Sequence, residues 1–192
     1  MTLIEVAIAI GIFSAVMLGT TALFASLWKM QGFTMRLGMS SQQATHVVTR
    51  MTDQIRDARQ ADNGAYVIVA ASPTELVVYT DYDRDGATER VRFFRDGNIL
   101  RRGVVEPSST VPVIYDTATE TVRIIAKDIV DTADGTPLFM YYDKNNAVLS
   151  GTPAIDDIRM VRITVTVDTD TATPPDGVVI SSFASLRNLR TW

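Results

Sequence analysis

The chain has no cysteine among its 192 residues, which excludes disulfide staples, thiol nucleophiles and Cys-ligated zinc or iron–sulfur centres. Its one histidine, His46, leaves no imidazole cluster for a metal. It falls mid-helix near Gln43 and Arg50, which suits a solvated or packing residue better than a general base. No Gly-x-Ser-x-Gly elbow and no phosphate-cradling glycine loop occurs. A basic excess is missing too: 18 Lys and Arg stand against 22 Asp and Glu, for a net charge of -4. The cations are scattered among acids, so no specific nucleic-acid binding is expected. Carboxylate-pair chemistry is the one catalytic class the composition leaves open, and the expectation is a protein that is not an enzyme.

Charge is also absent from one long stretch. Val6 to Trp28 contains no Asp, Glu, Lys or Arg. As a helix rising about 1.5 Å per residue, such a run covers roughly 30 Å, the thickness of a bilayer's hydrocarbon core. A signal peptide would want a basic region, a shorter apolar core and a small-residue cleavage site, and none of these fits. A plain anchor accounts for the length but not for Glu5, a carboxylate one turn inside. An unpartnered acid there costs on the order of a few kcal/mol, so intramembrane acids have a partner and a function. The nearest partner is an α-amino group at Met1, of the same chain or of a neighbour.

Met1-Thr2-Leu3-Ile4-Glu5-Val6 followed by an apolar helix resembles the mature N-terminus of the type IV pilin and pseudopilin superfamily. Thr2, Leu3, Ile4 and Glu5 match the family's motif as they stand, while Met1 replaces the usual phenylalanine. The resemblance implies a leader removed by a prepilin peptidase, an N-methylated Met1, and a Glu5 that pairs with a neighbouring N-terminal amine during assembly. Its implied partners are copies of the chain or other pilins in a helical filament, the bacterial inner membrane before assembly, and the assembly machinery. The implied location is that membrane, then a periplasmic or cell-surface filament. Many members carry a proline near position 22 and lose helix there on assembly; here Gly19-Thr20-Thr21-Ala22 departs from that pattern.

The anchor ends near Trp28 and Lys29, an indole and a cation suited to the membrane–water interface. Residues 1–28 form the hydrophobic half of the helix, and 29–192 the globular domain, with an amphipathic helix half over 29–60 and a β-sheet region over 66–192. Phe33, Leu37, Ala44, Val48, Met51, Ile55 and Ala58 recur at steps of three and four on one face. Gly11, Gly19, Gly32 and Gly38 each weaken the helix by roughly 1 kcal/mol relative to alanine. Ala61-Asp62-Asn63-Gly64 is the stop.

Beyond Tyr66 the period becomes that of strands. Eight are expected: Tyr66–Ala70, Glu75–Thr80, Arg90–Phe94, Ile99–Val105, Val122–Ile125, Leu138–Tyr142, Ile158–Val167 and Val178–Leu186. Asp96-Gly97-Asn98 signals a tight hairpin, and Asp134-Gly135-Thr136-Pro137, Gly151-Thr152-Pro153 and Pro174-Pro175-Asp176-Gly177 are turns. Val161, Ile163, Val165 and Val167 alternate with Met160, Arg162, Thr164 and Thr166, which predicts one buried face. The segment Thr169–Pro174 reads as a strand connection. The class is therefore α+β, a long N-terminal helix on a C-terminal antiparallel sheet domain. Ser185-Leu186-Arg187-Asn188-Leu189 and Gln54-Ile55-Arg56-Asp57-Ala58-Arg59 add a softer likeness to the larger minor pilins and J-type pseudopilins.

Asp81-Tyr82-Asp83-Arg84-Asp85-Gly86 places acids at alternate positions with glycine sixth, the first half of a calcium loop. Asp81, Asp83, Asp85 and Glu89 are the candidate ligands and calcium the only candidate cofactor. Arg92 stands where a bidentate glutamate would close the loop. The alternative is an acidic turn between Thr80 and Arg90, neutralised by Arg84 and Arg90, and the missing acid tips the reading towards it. Asp143, Asn145 and Asn146 read as a turn. Three functions remain: a subunit of a type IV pilus-like filament, to which the reading commits; a pseudopilin of a type II secretion system; and a membrane-tethered module that does not polymerise.

Overall fold

One helix, α1, runs Leu3–Arg56 for 54 residues in the computed structural model of the chain, which describes residues 2–168 and 177–189 apart from the side chains of Lys29, Phe33, Arg36 and Asn188. Met1, the side chain of Phe33, the Thr169–Pro174 connection and the turn before Gly177 lie outside the described residues. The helix is continuous through Gly11, Gly19, Gly32 and Gly38, since each glycine costs less than the summed hydrogen bonding around it. Thr20 and Thr21 keep it apolar outside: their hydroxyls donate back to Val16 O at 2.7 Å and Met17 O at 2.9 Å. By tertiary contact the chain divides into two units, Met1–Met39 and Ser40–Trp192.

In the second unit the apolar face of α1 is buried as its spacing requires. Ala44, Val47, Val48, Met51 and Ile55 lie within one core together with Phe93, Leu100, Tyr141 and Ile163. Leu37 does not share this environment: it is 37% exposed, and among the described residues the buried face opens at Ser40. The helix also stops earlier than the sequence suggests. Past Arg56 the backbone leaves the helical path, and Arg59 N–H donates to Tyr79 O at 2.9 Å, which ties the chain to a strand, with Ala58 still buried.

Among the described residues ten strands follow, all paired antiparallel: β1 (Ile68–Ala71), β2 (Glu75–Thr80), β3 (Glu89–Asp96), β4 (Ile99–Val105), β5 (Thr121–Ala126), β6 (Ile129–Val130), β7 (Phe139–Tyr142), β8 (Val148–Leu149), β9 (Met160–Val167) and β10 (Val178–Ser185). They make two sheets instead of one. The first is a meander in the order β1-β2-β3-β4-β5, and the second has the order β10-β9-β7-β8, with β6 also on β9. Asp96 pairs with Ile99 across Gly97-Asn98, and Gly97 takes φ +60°, the two-residue hairpin that Asp-Gly-Asn calls for. Between the sheets, Phe139 N–H donates to Pro73 O at 3.0 Å and the buried Tyr141 hydroxyl donates to Ser72 O at 2.7 Å.

Strand β9 corrects the alternation argument. Val161, Ile163, Val165 and Val167 are buried, but so are Thr164 and Thr166, while Met160 and Arg162 on the same face as the threonines are half-buried. The polar face that alternation predicts is thus closed at the Thr164–Thr166 end of the strand and partly open at the other.

Gly103 on β4 marks a close approach. A Cβ there would overlap the Glu120 carboxylate, which is held by Arg92 at 3.3 Å and Arg90 at 3.8 Å. Gly103→Ala is expected to displace Glu120 and cost about 1–3 kcal/mol. Glu120→Ala should make the same glycine substitution nearly neutral, and denaturant melts of both single variants and the double variant read that coupling.

Candidate functional site

Two groups of residues carry the functional signals, one in each unit. In the first, Thr2 precedes α1 and Glu5 sits in its first turn. The Glu5 carboxylate accepts from Thr2 N–H at 2.8 Å, while the helix begins with Glu5 N–H donating to Thr2 O at 3.1 Å. This is the glutamate half of a capping box, in which the N3 acid satisfies a donor the helix cannot. The Thr-x-x-Glu spacing announces it, and the sequence reading passed over it in favour of the amine of residue 1. Every described side chain from Thr2 to Met39 is exposed. The helix that carries them is long and apolar enough to cross a membrane, by length and composition.

In the second unit, the strand register brings the acids together. Thr80 pairs with Glu89, and Arg90 with Val105, so Asp81, Glu89 and Glu106 emerge at the same end of β2, β3 and β4. One carboxylate oxygen from each of Asp81, Asp83 and Glu89 lies within 4.8 Å of the other two. Asp85 is not among them; its carboxylate accepts from Ala87 N–H at 2.8 Å, and Asp83 accepts from Asp85 N–H at 3.3 Å. Asp81 accepts from Gly86 N–H at 3.2 Å, a contact that the positive φ of Gly86, +100°, makes available without a side-chain clash.

Glu89 is wholly buried. Its Oε2 accepts from Tyr82 N–H at 3.0 Å, whereas its Oε1, and Asp81 Oδ1 with it, are shut off from solvent with no hydrogen-bond partner among the described residues. Burial pushes the Glu89 carboxyl up to about 7, against the pull of the Tyr82 N–H, and the charges of Glu106 and Asp83 add to the rise. Glu106 is itself raised, by burial first and then by Asp83 and Asp85. The pocket of acids is thus short of positive charge.

The compensating cation is one the sequence reading did not name. Arg59, just past the end of α1, approaches Asp81 at 3.5 Å but spends its donors on Gly86 O, Ala87 O and Thr88 Oγ1 at 2.7–2.9 Å. Arg90, expected to neutralise the acids, pairs with Glu120 at 3.8 Å. Arg92, at the position of the missing twelfth ligand, pairs with Glu75 at 2.9 Å and stacks 3.9 Å from the Phe94 ring centroid.

Elsewhere the geometry is that of turns. Asp143 accepts from Asn145 and Ala147 N–H at 2.7 and 2.8 Å, with Asn146 at φ +60°; these bonds hold its carboxyl below the usual range. His46 is exposed on α1. Compared with protein-family models and with curated proteins, the chain matches none.

Proposed function

We propose that the chain is a structural subunit of an extracytoplasmic, type IV pilus-like filament, held in a membrane through its N-terminal helix and polymerised through that same helix. One observation carries the reading: every described side chain of residues 3–39 is exposed, most of them apolar, on a helix that follows Thr2-Leu3-Ile4-Glu5. A soluble monomer seldom exposes more than a few hundred Å² of contiguous apolar surface. Lipid before assembly and neighbouring helices after it would each cover this one. The acid at residue 5 favours assembly over simple anchoring, since the helix cap it supplies needs only an acceptor, whereas its charge is costly in an apolar setting without a cationic partner. A type II secretion pseudopilin would differ in filament length, and a tethered module would not associate at all.

The absence of native cysteine makes the test direct. Ala7 and Ala9 lie about 200° apart around the helix, at 100° per residue, so Ala7→Cys combined with Ala9→Cys presents thiols on opposite faces. Oxidative cross-linking of the full chain in cells that assemble it should give a ladder of multimers that extends past the dimer. Monomers alone would refute a filament, and a ladder that stops at a few copies would mark the shorter, pseudopilin type.

A further inference from the structure

We infer that the loop-end of β2 and β3 is a binding site for a hard divalent cation, calcium by its donor set, with Asp81, Asp83 and Glu89 as the protein ligands. This lies outside the assembly role of the N-terminal helix and stands independently of it.

Geometry is the first support. Oxygens bound to one calcium ion sit about 2.3–2.6 Å from it, so no two can be more than about 5 Å apart. The three carboxylates meet that condition without rearrangement, within 4.8 Å. All three donors are carboxylate oxygens, which suit calcium or magnesium and not a soft metal. Magnesium demands near-ideal octahedral geometry at shorter distances, and an irregular loop edged by the exposed Asp83 serves the larger ion better.

The second support is independent of the clustering. Buried carboxylate oxygens are normally paired, because water is lost to them and nothing else offsets the desolvation. Glu89 is 0% exposed, and its Oε1 has no partner among the described residues. Asp81 Oδ1 shares that condition. Arg59 approaches only Asp81, at Oδ2 and 3.5 Å, and its hydrogen bonds go to Gly86 O, Ala87 O and Thr88 Oγ1, so it reaches neither orphaned oxygen. A cation among the three carboxylates would offset the desolvation of both groups. The bidentate twelfth ligand of a complete calcium loop is replaced here by Arg92, already paired with Glu75 and Glu120, so water completes the shell and the affinity belongs to the weak class of extracellular modules, about 10⁻⁴–10⁻³ M.

The test uses the full chain in non-ionic detergent micelles, stripped with chelator and titrated with calcium chloride by calorimetry and by thermal melting. Saturation at one calcium per chain is expected, with a melting temperature that climbs with calcium concentration by mass action. Asp83→Asn and Glu89→Gln should each weaken binding about tenfold or more, while Asp85→Asn, whose carboxylate serves Ala87 N–H, should change it by less than about threefold. Asp83 is exposed, so its variant keeps the test valid if Glu89→Gln fails to fold. No binding up to about 10 mM calcium, or binding by the Asp83 and Glu89 variants as tight as that of the parent chain, would overturn the site. Asp85→Asn weakening binding as much as Asp83→Asn would do so as well, since it would reveal only a diffuse acidic surface.

Discussion

Truncating Met51 or Ile55 to alanine is expected to destabilise residues 40–192 by about 2–5 kcal/mol, the range for removing a large apolar side chain from a packed core. Met51 is 1% exposed and Ile55 wholly buried, and both touch the cluster that joins the two sheets. For a domain of this size each kcal/mol moves the midpoint by about 2–4 °C, so either variant should melt several degrees lower. Leu37→Ala is the control. The sequence periodicity places Leu37 on the same face, but the structure exposes it, so its truncation should stay within about 0.5 kcal/mol. Equal losses from Leu37→Ala and Ile55→Ala would mean that the core extends further up α1 than the structure has it. A loss below about 0.5 kcal/mol for Ile55→Ala would mean that the face is wrongly assigned.

The contrast between Leu37 and Ile55 shows what a pattern can and cannot say. Steps of three and four identify which side of a helix is apolar, but not how far along the helix something lies against it. Strands β2 and β4 fall at the residues that composition and turns predicted, because each is bounded by residues with local reasons to end a strand, such as Gly97 at φ +60°. The two-residue strands β6 and β8 carry no period at all. Their existence depends on β9 and β7 being nearby, as does the burial of Thr164 and Thr166. The division into two sheets is likewise set by which strands pair, a non-local outcome that eight similar runs of Val, Ile and Tyr leave undetermined.

The acidic loop was legible in part for the same reason. The spacing of Asp81, Asp83 and Gly86 is local and could be read, and Glu89 follows from register across a short hairpin. What the spacing could not give is the burial of Glu89, the approach of Glu106 from β4, and the arrival of Arg59 from the far end of α1, each fixed by tertiary packing. Reading Arg84 and Arg90 as the compensating charges followed proximity in sequence. In the fold, adjacent strand residues point to opposite faces, which sends Arg90 to Glu120 while Glu89 turns inward.

Glu5 has two jobs to choose between, and a pair of substitutions separates them. Its carboxylate caps the helix through Thr2 N–H at 2.8 Å, a contribution of about 0.5–2 kcal/mol; in the proposed filament its charge would also neutralise the terminal amine of the subunit ahead. Glutamine accepts the same N–H but carries no charge, whereas alanine does neither. Both Glu5→Gln and Glu5→Ala should insert in the membrane as well as the parent chain, because removing an acid from an apolar helix eases insertion. If the charge selects the register of assembly, both variants lose filaments, with cross-linked multimers from the Ala7 and Ala9 cysteines reduced at least about tenfold, the effect of about 1.4 kcal/mol. If capping is all that Glu5 does, Glu5→Gln assembles normally and only Glu5→Ala is impaired. Normal assembly by Glu5→Gln would therefore remove the amine-pairing role while leaving the apolar helix as the means of polymerisation.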